Sequence, residues 1–269
     1  MHWAPRGLPG AMRRMPGWTA RLAVEARFGL EAASFARTLV AGSSRLAAGA
    51  PPGRGKGVLV IPGFGFGDAA TAPLQIALRE AGYRVFLSEI LMNIGCADET
   101  VASLVDVAER AVADNGGEPV HVVGHSRGGM LARGLAVRRP DLVSRVICMG
   151  SPLNYEFAFY EIPAPMVGVL QRWHHSDPAR RELRCSTSQC ACDYMMAAHR
   201  PLPEDVDLVS LYSTSDGIVD WRACVVPGAT NIEVPGSHLG MGLRPQTLRV
   251  ILQELSLSRE SRATAPTKE

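Results

Sequence analysis

The chain has no apolar run long enough to cross a membrane. Residues 19–50 are rich in Ala and Leu, but Arg21, Glu25, Arg27, Glu31, Arg37 and Arg45 interrupt them. That density of charge excludes a transmembrane segment and argues against a signal peptide, so a soluble cytoplasmic protein is expected. Cysteine is scarce as well. Cys96, Cys148, Cys185, Cys190, Cys192 and Cys224 are too few for a disulfide scaffold in 269 residues. No C-x₂-C pair offers the usual zinc spacing, so no metal is expected. Charge of one sign is not in excess either. The net charge is +2 with no long Lys/Arg block, which sets nucleic acid aside as a partner. Small neutral or apolar molecules remain.

What is present is ordinary for a globular chain, with 46% hydrophobic and 20% charged residues. A chain of this length buries a sizeable core without staples. Residues 1–17, rich in Pro, Gly and Arg, read as a loose arm. A helical pattern runs from about 19 to 47, with Val24, Phe28, Phe35, Leu39 and Leu46 on one stripe and Arg27, Glu31 and Arg37 off it. Residues 1–50 are therefore expected to be an arm and a helix packed on the main domain; the alternative is a membrane-surface helix. The main domain is expected over residues 51–260 and a flexible tail over 261–269.

Within the main domain, strand and helix patterns alternate. Apolar runs predict strands at 57–61, 83–87, 119–123, 144–149, 206–212 and 230–234. Helices are predicted at about 69–81, 99–114, 126–138 and 244–256. This pattern implies an α/β fold with a mostly parallel sheet of about six strands and helices on both faces. Sites in such folds lie beyond the carboxyl ends of the strands.

The third predicted strand runs into Gly124-His125-Ser126-Arg127-Gly128, a G-x-S-x-G between strand and helix. The pattern suits a nucleophile, because a sharp turn presents the hydroxyl at a helix N-terminus and the glycines let neighbouring backbone pass close. The alternative is a Gly-rich turn with Ser126 as a plain helix cap. A serine nucleophile needs a base, and the base needs an orienting acid, in the chain order Ser, acid, His. Asp216 follows the strand ending at Tyr212, and His238 follows the strand ending at Val234. Asp220 is the rival acid, although it falls toward the next helix. His121 reads as a strand histidine, and His125 is too close in sequence to reach Ser126 easily.

The first predicted strand opens into Pro62-Gly63-Phe64-Gly65-Phe66-Gly67-Asp68. The backbone N–H groups of Phe64 and Arg127 are the candidate oxyanion donors. The Arg127 side chain need play no part, and Asp68 reads as a cap for the next helix rather than a brace for the loop. A dinucleotide fingerprint is the rival reading of this loop, but it requires glycine at position 68 and leaves Ser126, Asp216 and His238 unexplained.

Residues 152–204 break the alternation and read as a cap or lid. Leu153, Phe157, Phe159 and Met166, with Leu239 after the base, are the candidate substrate-binding residues. They serve equally well to pack the cap onto the sheet. A disulfide between the cap cysteines and Cys224 is an open alternative to free thiols.

Taken together, Ile61–Asp68, Val123–Gly129, Tyr212–Val219 and Ser237–Met241 resemble an α/β-hydrolase of the bacterial lipase and esterase kind. The resemblance runs from about Val58 to Leu255. It implies the same triad of Ser126, Asp216 and His238, an oxyanion hole at Phe64 and Arg127, no metal in the chemical step and no cofactor; the apolar cap points to a small-molecule ester substrate with an apolar acyl group. The chain departs from the family in that no strand pair precedes Val58, which predicts a reduced sheet, and in that Pro62 stands where many lipases have His, so the family's substrate class is not carried over. An acyltransferase would use the same groups, and a catalytically silent homologue would use only the apolar pocket.

Overall fold

The computed structural model describes residues 23–154 and 200–258. Six strands form one sheet: β1 (Gly57–Ile61), β2 (Arg84–Leu87), β3 (Val120–His125), β4 (Val143–Met149), β5 (Asp207–Tyr212) and β6 (Thr230–Glu233). Their order is β2-β1-β3-β4-β5-β6, and every pairing is parallel. The helices are α1 (Phe28–Val40), α2 (Ala72–Glu80), α3 (Ala97–Asp114), α4 (Arg127–Arg138), the short α5 (Trp221–Cys224) and α6 (Pro245–Ser256).

Successive side chains on a strand point to opposite faces, and both faces here are covered. Val58, Val60, Val123, Ile147 and Val209 pack with Phe35 of α1, Leu78 of α2 and Ile251 of α6. On the other face, Leu59, Ile61, Val122 and Val146 pack with Leu104 of α3 and Leu131 of α4. Burial on two sides is why β1 reads as a continuous apolar run, whereas the edge strands β2 and β6 are half-exposed. Each fully buried side chain such as Leu59 contributes about 2 kcal/mol of transfer free energy.

The N-terminal pattern is interrupted where one helix was expected. A helical turn at 23–25 gives way to a turn at 26–27 before α1 begins. After α1, Gly42 at φ 115° leads into a 3₁₀ turn, Ser43–Leu46. Phe35 and Leu46 are buried on the body, whereas Phe28 is 41% exposed. The break at 26–27 separates Glu25 from the α1 axis.

The chain leaves β1 for β2 on one side and then crosses to β3 on the other. β1 and β3 are thus neighbours at the point where the winding reverses, where open sheets of this class form their crevice. The loops after β1, β3, β5 and β6 open at the same edge.

Candidate active site

Ser126 sits between β3 and α4 with φ 53° and ψ −122°, a conformation that side chains rarely adopt and that costs about 1–3 kcal/mol. The flanking glycines make it possible. A Cβ on Gly124 would stand 2.3 Å from the Gly128 carbonyl oxygen, and one on Gly128 would stand 2.4 Å from that of Ile61. Neither close approach tolerates a side chain. The Ser126 N–H donates to Met149 O at 2.7 Å, which fastens the elbow to the end of β4.

Asp216 and His238 meet. His238 Nδ1 lies 2.6 Å from Asp216 Oδ2, with the two side chains 4% and 1% exposed. Asp216 Oδ1 accepts from Ile218 N at 2.9 Å and Val219 N at 2.7 Å, which orients the carboxylate. Gly150, at φ 57°, passes beside this pair; a Cβ there would lie 3.2 Å from His238 Nδ1. Asp220, the rival acid, instead accepts from Arg222 N at the start of α5.

His125 holds His238 from the other side. Its Nε2 lies 2.9 Å from His238 O, and the two ring centroids are 4.9 Å apart. His238 is therefore packed against the residue that precedes Ser126. Burial, and then the neighbouring His238, push the His125 imidazole down to about 4, so it is neutral near neutral pH and donates through Nε2–H.

The loop after β1 is held by a second loop at 90–95. Gly65 N donates to Asn93 O, Asn93 N to Phe66 O, and the buried Asn93 Nδ2 to Pro62 O at 2.7 Å. The Phe64 N–H makes no hydrogen bond among the described residues. The Arg127 side chain does have a role. It donates to Asn93 O and Gly95 O, and its guanidinium lies 5.9 Å from the Phe64 ring centroid. Asp68 braces rather than caps: the 3₁₀ turn at Asp68–Thr71 has no side-chain cap. Its Oδ1 instead accepts from Ser88 N and Ser88 Oγ, the latter at 2.6 Å, and a short bond to a buried hydroxyl is the stronger partner.

Beside the elbow lies a cleft of about 240 Å³. It runs from Gly63 and His125 between Phe66, Leu239 and Leu243 to Phe28 of α1, and among the described residues no Asp, Glu, Lys or Arg lines it.

A family model described as the alpha/beta hydrolase fold matches residues 58–183. A lipase of Bacillus licheniformis superposes with a TM-score of 0.57 at 15% identity, covering 77% of this chain and 94% of that one. A monoglyceride lipase of Saccharomyces cerevisiae gives 0.53 at 18%, covering 77% and 88%. The chain has the alpha/beta hydrolase fold. A third solved structure, 2-hydroxy-6-oxo-6-phenylhexa-2,4-dienoate hydrolase of Rhodococcus, gives 0.50 at 17%, covering 76% and 92%.

On this hydrolase fold, Leu239 lines the cleft. Leu153 instead packs against the core face that holds α3 and α4. Phe157, Phe159 and Met166 lie outside the described residues, as do most of the expected cap and Cys185, Cys190 and Cys192. Cys224 carries a free thiol. No helix among the described residues is long and apolar enough to cross a membrane, and these residues hold no cluster of metal-binding side chains. Sequence reasoning missed Glu25, Glu31 and Phe28. All three belong to the N-terminal segment, and no local pattern tied them to the site.

Proposed function

We propose that this chain is a serine hydrolase that cleaves carboxylic esters of small molecules, with Ser126 as nucleophile, His238 as base and Asp216 as the acid that orients it. The buried 2.6 Å bond between His238 Nδ1 and Asp216 Oδ2, set against a strained elbow serine, carries this reading. With Nδ1–H committed to Asp216, Nε2 is the nitrogen left to take the Ser126 proton. Ser126 attacks the ester carbonyl, the N–H groups of Phe64 and Arg127 receive the oxyanion, and His238–H⁺ protonates the departing alcohol. The deprotonated imidazole then activates a water that releases the acid.

The uncharged cleft supports a neutral apolar acyl group. Its volume of about 240 Å³ falls below the roughly 300–1,000 Å³ typical of drug-sized ligand sites, which favours short acyl chains. Rates on nitrophenyl esters of increasing acyl length test this. The expected result is highest kcat/KM for short chains and no turnover in Ser126→Ala. Turnover that survives Ser126→Ala would remove the nucleophile assignment; a steady rise toward long chains would remove the cleft assignment.

A further inference from the structure

Two carboxylates from the N-terminal segment reach into the loops that carry Asp216 and His238. Glu25 Oε1 accepts from Gly217 N at 3.0 Å and from His238 N at 2.9 Å, and its Oε2 accepts from Leu239 N at 3.1 Å. Glu31, buried in α1, accepts from Ser237 N at 3.0 Å and from Ser237 Oγ at 2.6 Å. The packing is close. A Cβ on Gly240 would stand 1.5 Å from Glu31 Oε2, so only glycine lets the base loop lie against this carboxylate.

We propose that Glu25 is a positioning residue for the base, resting on the Ser126–His238–Asp216 reading above. Its single carboxylate takes donors from both loops, one residue after the acid and at the base itself. The backbone of His238 is thereby pinned at both ends, its N–H by Glu25 and its carbonyl by His125 Nε2. The ring is pinned separately by Asp216. Glu31 differs, because both of its donors belong to Ser237, so it anchors one loop and not the pair. Without Glu25 the His–Asp bond persists, but the two loops can slide together relative to Ser126. A displacement on the order of 1 Å at a reacting group costs up to about 100-fold in rate.

The test uses the full chain with Glu25→Ala, which removes the acceptors for Gly217 N, His238 N and Leu239 N together; Glu25→Gln would keep the first two on its amide oxygen. On nitrophenyl acetate, kcat should fall by roughly 10- to 100-fold while KM stays within about twofold. Amide hydrogen exchange at His238 and Leu239 should quicken. Ser43→Ala is the control: it cuts the bond from Ser43 Oγ to Glu80 that anchors the same segment elsewhere, and it should leave kcat and exchange unchanged. Formate added to Glu25→Ala should restore part of kcat, which a purely structural role would not give. If Glu25→Ala fails to fold, Glu25→Asp keeps the charge, shortens the reach and should show the same loss in kcat. Wild-type kcat in the folded variant overturns the proposal, as does a defect in KM alone. If the wild-type chain cleaves no ester, the functional reading fails, and exchange decides the clamp by itself: faster exchange at His238 in Glu25→Ala supports it, and unchanged exchange overturns it.

Discussion

Asp216→Asn changes one atom of the site and should abolish nearly all turnover. The carboxylate has two distinct sides: Oδ1 accepts from Ile218 N and Val219 N, and Oδ2 faces His238 Nδ1. An asparagine that keeps its oxygen on the two loop amides puts its NH₂ opposite His238. The flipped rotamer sets that NH₂ against two donors instead of one, so it is disfavoured. The imidazole resolves the clash by carrying its proton on Nε2, the nitrogen that must accept the Ser126 proton. The expected loss is about 10,000-fold in kcat, equivalent to about 5 kcal/mol of transition-state stabilisation. The fold should survive, because replacing one charge-assisted bond costs only about 1–3 kcal/mol. Initial rates on a nitrophenyl ester, with thermal melting of the same samples, provide the assay. Asp220→Asn is the matched control; it weakens the start of α5 by about 1 kcal/mol and should leave kcat alone. An Asp216→Asn enzyme within tenfold of wild type beside a slow Asp220→Asn would refute the tautomer reasoning.

Other consequences follow from packing and burial. Gly128→Ala would place a Cβ against the backbone carbonyls of Ile61 and Pro62, and should lower stability by about 3 kcal/mol; an unchanged urea midpoint would contradict the close approach. His125 has its folded-state pKa depressed to about 4, against about 6.5 in the unfolded chain. Its contribution to stability is thus complete above about pH 6.5 and is lost as pH falls toward 4, by up to about 3 kcal/mol. His125→Gln should flatten that part of the stability profile, and equal slopes in the two proteins would count against it. Burial pushes the Cys148 thiol up to about 12 and raises that of Cys224. Both should resist iodoacetamide in the folded chain and react in urea, as read by peptide mass spectrometry.

The inner strands of the sheet were legible because they are buried on both faces. Gly57–Ile61 is apolar throughout, so its extent could be read directly, and G-x-S-x-G fixed where β3 turns into α4. Asp216 and His238 were legible for a related reason: each follows a strand end, and all strand ends open at one edge. What escaped were contacts between residues far apart in the chain. Glu31 falls off the apolar stripe of its helix and reads as a solvated carboxylate, yet it is buried against Ser237. Its signature is split between α1 and Gly240, with nothing local to join them. Asp68 and Arg127 escaped similarly, since each bonds to a loop between Ser88 and Gly95 whose path no periodicity reveals.

Covalent capture probes the nucleophile without presuming a substrate. A fluorophosphonate added to the folded chain should leave one adduct per molecule, mapped by peptide mass spectrometry to Ser126 and missing from Ser126→Ala. An adduct at another side chain, or none at all on folded protein, would contradict the assignment of an activated serine at the end of β3.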